Sequence, residues 1–321
     1  LKKENLKRMI DISKMYYEQN LNQEEIARRI NTSVAQISRI ISNAKKDGYI
    51  KISVIDPFEE GNDLRDKVLS YFHLKDVRIV ESRDEDQRIT EKNVAQAGAD
   101  FLLEIVQAND IVGFAFSDLM SKIPSLLPVR HIENLAFVQL NGALTEHVKG
   151  FQYDTIRQTA GKLDAFYYYF PAPAVVNNRY VKDALHQDSS IQWVIETAKK
   201  ANIAMYSIGA PSESNIYVTS GYFSHDEIRK IREGGAVGEI FGHFLNREGK
   251  INDPLLEARI LGMDISELCT KDFSVCVAAG EHLAEAIYAA LQGNYCNVLI
   301  TDARTAKKLL AIKDLQTFYG R

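Results

Sequence analysis

The sequence predicts an N-terminal helix-turn-helix, winged-helix-like head and a doubly wound, largely parallel α/β domain. Three observations carry this. Residues 22–48, NQEEIARRINTSVAQISRIISNAKKDG, hold two helices with their own start and stop signals. From residue 63 onward, short continuous apolar runs alternate with helical stretches, the pattern of strands covered on both faces by crossover helices. The charge also changes sign along the chain. Residues 1–51 hold eleven Lys or Arg against six Asp or Glu, a net +5, which leaves −9 for the rest of a chain whose total is −4. With 321 residues, 45% hydrophobic and 26% charged, there is room for two domains and no case for disorder.

In chain order, residues 4–19 place Leu6, Met9, Ile10, Ser13 and Tyr17 on one side of a support helix. Asn22 with Glu25 three residues later is a capping-box start, followed by Ile26, Ala27 and Ile30 at helical spacing. Asn31 suits a left-handed turn, and Ser33 caps a second helix that buries Ile37, Ile40, Ile41 and Ala44 and stops at Gly48. Ala27 is small enough for two helices to cross closely. The outer face of the second helix carries Ser33, Val34, Ala35, Gln36, Ser38, Arg39 and Asn43, with Lys45 beside it. Gln36 suits an adenine edge, Arg39 a guanine edge or a phosphate, and Val34 or Ala35 a thymine methyl group. Lys45, Lys46 and Lys51 fall toward the nucleic-acid backbone. An ordinary αα-hairpin would share the apolar stripe, but it has no need of these caps, this small residue and this polar face together. The expected partner is double-stranded operator DNA, which a basic head on an acidic body also favours.

After Gly48, YIKISVID alternates like a half-buried strand and would form part of a wing; Asp56-Pro57 breaks it and FEEGN reads as a linker. The expected domains are 1–53, a linker at 54–62, and 63–321. In the last, LRDKVLSYFH and EKNVAQAGADFLLEIVQ read as helices, and VRIVES, DIVGFAF, ENLAFVQL, DAFYYYFPAP, NIAMYSIGA, FSVCVAAG and NVLITD as strands. Several strands end in small or polar residues: Gly113 to Ser117, Asn141-Gly142-Ala143, Gly209 to Ser212, and Thr301-Asp302. Strand ends of this kind face the ligand crevice of an open α/β sheet, so a small anionic ligand is expected there unless these are simply turn residues.

Cys269, Cys276 and Cys296 form no CxxC pair, which points to reduced thiols in the cytoplasm. No zinc pattern, metal site or cofactor motif is visible. No apolar run approaches a membrane span, and the N-terminus is charged from its second residue.

The stretches at 16–52, 199–211, 221–251 and 297–310 together resemble the SorC/DeoR-type family of bacterial sugar-responsive transcription regulators. VIDPFEE at 54–60 and VQLNGA at 138–143 are most similar to its deoxyribonucleoside-regulator branch. The resemblance implies an effector domain similar to sugar-phosphate isomerases and glucosamine-6-phosphate deaminases, homo-oligomers that are dimers or tetramers, and DNA binding controlled by a sugar or sugar phosphate. It places the effector at Gly113, Phe116, Ser117, Asp118, Asn141, Gly142, Ala143, Leu144, Thr145, Lys149 and Glu239. Several of these depart from the family pattern. Asp118 would repel a phosphate, Asn141 lacks an amine for imine chemistry, the usual double glycine is Gly142-Ala143, and the usual G-D-I is Gly238-Glu239-Ile240. Two readings stay open: a less anionic sugar contacted by Asp118, Asn141, Thr145 and Glu239, or a phosphate held by backbone N–H groups near 142–145 with Lys149, Arg157 or Lys307 supplying charge. The implied role is a repressor of a carbohydrate or nucleoside catabolic operon. The rival class is an isomerase- or deaminase-like enzyme with a helix-turn-helix head, for which Asp118, Glu239, Asp302 and His282 are available bases; no Ser–His–Asp order, Walker loop or GxGxxG supports it.

Overall fold

The computed structural model describes residues 3–50, 61–81, 86–144 and 152–319, and the chain divides into two compact units, Leu1–Phe58 and Glu59–Arg321. The predicted wing strand, its Asp56-Pro57 break and most of the predicted linker lie outside the described residues.

The first unit is three helices: α1 (Lys3–Tyr17), α2 (Gln23–Arg29) and α3 (Val34–Lys46). The capping box at Asn22 forms as expected, its Oδ1 accepting from Glu25 N at 2.9 Å while Glu25 Oε2 accepts from Asn22 N at 2.8 Å. Asn31 takes a φ of 51°, and the Ser33 hydroxyl caps α3 by accepting from Gln36 N. Ile12, Ile26, Ala27, Ile37 and Ile41 form the core. Two expectations need correction. Ile10 is exposed and Ile12 is buried in its place, because the α1 stripe is rotated toward the residues that meet α3; Ile40 lies at the stripe's edge and is half-buried.

The second unit is built on a seven-stranded sheet. Walking the chain, α4 (Gly61–Phe72), β1 (Asp76–Val80), α5 (Gln87–Ile105), β2 (Ile111–Phe114), α6 (Ile123–Leu126), β3 (Ala136–Gln139), α7 (Gln152–Leu163) and β4 (Phe166–Tyr168) come first. Then follow α8 (Arg179–His186), α9 (Ser189–Lys200), β5 (Ile203–Tyr206), α10 (Ile216–Thr219), α11 (His225–Glu233), β6 (Ala236–Ile240), β7 (His243–Asn246), α12 (Pro254–Glu257), β8 (Phe273–Val277), α13 (Ala284–Gln292), β9 (Val298–Asp302) and α14 (Ala303–Tyr319). The strand order is β1-β9-β8-β5-β2-β3-β4, every pair parallel.

Alternate residues along the central strands feed two separate cores. Ala204, Tyr206, Cys276 and Leu299 join α4, α9, α13 and α14 on one face; Ile203, Met205, Val275, Val277 and Ile300 join α5, α6 and α7 on the other. A strand buried on both sides has no polar face to show, which is why these runs read as continuously apolar. The edge strand β4 is the exception. Phe166 is 63% exposed and Tyr167 40%, so FYY is aromatic without being covered. A two-stranded antiparallel hairpin, β6–β7, stands apart from the main sheet and turns at Phe241 (φ 34°) and Gly242 (φ 100°).

Candidate functional site

On the first unit, α3 presents its candidate face to solvent. Ser33, Val34, Ala35, Gln36, Ser38, Arg39, Asn43 and Lys45 are all exposed, while Ile37, Ile41 and Ala44 are buried behind them. Thr32 Oγ1 donates to Gln36 Oε1 at 2.6 Å, which orients the amide and leaves its second lone pair and both N–H donors available. Lys45 is placed differently from its neighbours: its ammonium lies 5.6 Å from the Tyr17 ring centroid, and this cation–π contact draws it toward α1.

On the second unit, the order of strands reverses between β2 and β5, since the chain runs outward to β3 and β4 on one side and to β8 and β9 on the other. Crossovers diverge there and leave a gap beyond the strand ends. The gap is a cavity of about 210 Å³. Phe116, Ser117 and Asp118 line it from the end of β2, Ser207, Ile208 and Gly209 from the end of β5, and Ala279, His282 and Leu283 from beyond β8. Leu144, Asn215, Tyr217, Glu239 and Phe241 complete the floor and Glu91 the rim.

Glu239 is fixed by its surroundings. Gly238 allows β6 to lie against α13, where a Cβ would come 2.9 Å from Ala286 Cα, and the pleat turns the next side chain the other way. Its Oε1 accepts from Gly242 N, the Asn215 amide lies 3.5 Å from Oε2, and Gly209 is small enough to admit the carboxyl. Burial pushes the Glu239 carboxyl above the ordinary Glu range; the Gly242 N–H and Asn215 amide pull the other way and do not prevail. A carboxyl with a raised folded pKa supports folding below its unfolded value, about 4.3, and opposes it progressively as pH rises through the folded value. Glu239→Gln should therefore gain thermal stability relative to the native protein as pH rises from about 5 to about 8; a difference in unfolding midpoint that stays flat with pH would show that burial does not control this ionisation.

Other candidates are used elsewhere. Gly113 faces the core, where a Cβ would come 2.4 Å from Leu140 Cδ2. The Gly142 and Ala143 N–H groups donate to Leu261 O and Ala172 O, so neither serves an anion. Gly142 is small because the chain at Pro173–Ala174 crosses it, with Pro173 O 2.5 Å from the site of a Cβ. Gly142→Val should accordingly cost roughly 2–3 kcal/mol through overpacking, read as a lowered unfolding midpoint; loss of ligand binding at unchanged stability would return this glycine to the site. Asn141 is 1% exposed, hydrogen-bonds the Tyr217 phenol and keeps Oδ1 without a partner among the described residues. It lies behind the cavity lining. Thr301-Asp302 does not face the crevice either: Asp302 caps α14, accepting from Arg304 N and Thr305 N. Arg157 and Lys307 do not line the cavity, and Thr145 and Lys149 fall outside the described residues.

A model of the Sugar-bind family, a sugar-binding domain, matches residues 56–311. The chain belongs to this family. Within it, the protein is of SorC/DeoR type, a transcriptional regulator. It is 30% identical over 302 residues to the deoxyribonucleoside regulator of Bacillus subtilis, covering 94% of this chain and 96% of that one. It is 28% identical to the transcriptional regulator LsrR of an Enterobacter species, covering 92% and 90%. The full-length sorbitol operon regulator SorC of Klebsiella pneumoniae superposes with a TM-score of 0.79 at 22% identity over 95% of this chain and 98% of that one, which shows the shared fold. The Sugar-bind match spans all the residues that line the crevice.

The residues that sequence reasoning missed are Glu91, Ser207, Asn215 and Tyr217, while His282 was named only as a base for the rival enzyme class. The four come from three separate segments, and motif spacing along one segment carries no signal for such a meeting. The β6–β7 hairpin also went unread as strand, although it supplies Glu239 and Phe241.

Proposed function

We propose that residues 1–53 form a winged-helix-like DNA-binding domain whose grip on an operator is set by a small polyhydroxylated ligand in the crevice of a doubly wound, isomerase-like domain. The observation that carries this is the solvent-facing row Val34, Gln36, Ser38, Arg39 and Asn43 on a helix capped at Ser33 and backed by a closed apolar core. A helix so placed enters a major groove with its polar residues at the base edges. The role we assign is repression of a carbohydrate or nucleoside catabolic operon in the cytoplasm, in keeping with the names of its relatives.

One recognition helix reads few base pairs, so the working species is at least a homodimer on two half-sites about 34–36 Å apart, or a multiple of that spacing. The ligand alters DNA affinity by preferring one arrangement of the oligomer. Gel-shift titration of the purified protein against the DNA flanking its own gene tests the reading. A sequence-specific complex that is lost when one half-site is scrambled is the expected result. Turnover of a sugar phosphate with no specific DNA complex would instead assign the crevice to catalysis.

A further inference from the structure

We infer that the crevice takes an unphosphorylated polyhydroxylated ligand, such as a sugar, polyol or nucleoside, and discriminates against phosphate esters. The inference rests on the crevice being the effector site.

The lining chemistry carries it. Among the described lining residues, the ionisable side chains are Glu91, Asp118, Glu239, His282 and Tyr217, with no Lys or Arg. The nearest rim cation is engaged: Lys122 Nζ donates to Glu91 Oε2 at 3.1 Å and to the Asp118 carbonyl at 3.2 Å. A phosphate in a protein is held by cations or by converging N–H groups. The N–H groups of Gly142 and Ala143, where the sequence offered a phosphate cradle, go to backbone carbonyls, and that of Gly280 goes to Asp302 Oδ2 and Thr305 Oγ1. Asp118 is exposed at the mouth and would face an arriving dianion with like charge.

The same lining suits hydroxyls. Glu239 offers a carboxyl held in place by the Asn215 amide, which itself donates to Ala210 O, and the hydroxyls of Ser117, Ser207 and Tyr217 can donate or accept. Phe116, Leu144 and Phe241 supply apolar surface for the carbon skeleton. The carboxylate of Asp118 at the mouth then fits hydroxyl recognition rather than anion recognition.

The test is calorimetric titration of the full chain with matched pairs: 2-deoxyribose and its 5-phosphate, sorbitol and its 6-phosphate, thymidine and its 5′-monophosphate. Ser207→Leu, which fills the crevice, and Asp118→Lys, which reverses the charge at its mouth, are titrated alongside, with Asp118→Asn as a milder second variant. Thermal unfolding confirms that each is folded. The unphosphorylated member of at least one pair should bind about tenfold or more tightly than its ester. Ser207→Leu should abolish that binding, and Asp118→Lys should narrow the preference severalfold. Tighter binding of an ester, lost in Ser207→Leu, overturns this inference and leaves the crevice as the site. Binding that ignores both Ser207→Leu and Asp118→Lys overturns the assignment of the crevice itself. Failure of all six compounds to bind also counts against the inference, since the three pairs span furanose, open-chain polyol and nucleoside shapes.

Discussion

Arg39→Ala should lower operator affinity by about 10- to 100-fold, the roughly 1–3 kcal/mol that a well-formed side-chain contact to a base edge supplies, while the unfolding midpoint stays where it is. Both halves follow from position. Arg39 is exposed on α3, two residues from the buried Ile37 and Ile41, and the structure shows no ion pair or hydrogen bond for it among the described residues. Its removal therefore costs the fold little, as for surface substitutions generally. Its guanidinium is free to form a bidentate contact with guanine or to meet a phosphate. These alternatives separate by salt dependence: loss of a phosphate contact weakens all sequences alike and reduces the salt slope by about one, whereas loss of a base contact relaxes specificity at one position. Equal affinity of the two proteins at every salt concentration would remove Arg39 from the reading face.

Legibility in the sequence tracked how local the determining physics was. Asn22, Glu25 and Ser33 act through hydrogen bonds within four residues and Asn31 through its own backbone angle, and each forms as the sequence indicates. The central strands of the sheet were legible for a similar reason, because burial on both faces writes an unbroken apolar run; the edge strands β1 and β4 are only partly covered, and β4 was legible through its aromatic residues. Ile10 and Ile12 show the limit: both fit an amphipathic α1, and which one is buried depends on the angle at which α3 arrives. The crevice was legible in part. Phe116 and Ser117 were found as a strand end and Asp118 through the family resemblance, and the strand ends are where a parallel sheet opens. Gly113 and Gly142 looked like ligand glycines but admit Leu140 and the Pro173–Ala174 backbone, partners distant enough in sequence that no motif reveals them. Glycine reports that something comes close; what comes close is a tertiary fact.

The crevice also depends on a support that the sequence reads as part of its lining. Asp302→Ala should destabilise the second unit by about 3 kcal/mol, combining a lost N-cap with buried donors left unpaired. At this size the unfolding midpoint falls roughly 6–12 °C. Asp302 is 2% exposed and holds two elements at once. Oδ1 accepts from Arg304 N and Thr305 N at the start of α14, and Oδ2 accepts from Gly280 N at 2.9 Å and from the Thr305 hydroxyl at 2.6 Å. Gly280 takes a φ of 114° where a Cβ would come 2.7 Å from the His282 ring, so the turn that places His282 and Leu283 against the cavity is pinned at its first residue by this carboxylate. Losing Asp302 should therefore weaken ligand binding as well as stability, without any contact to the ligand. Asp302→Asn separates the two effects. Its Oδ1 can still cap α14, but its amide meets the Gly280 N–H donor to donor, so most of the helix stability should persist while binding falls. If Asp302→Asn binds like the native protein, the Gly280 turn does not need the carboxylate, and Asp302 acts on α14 alone.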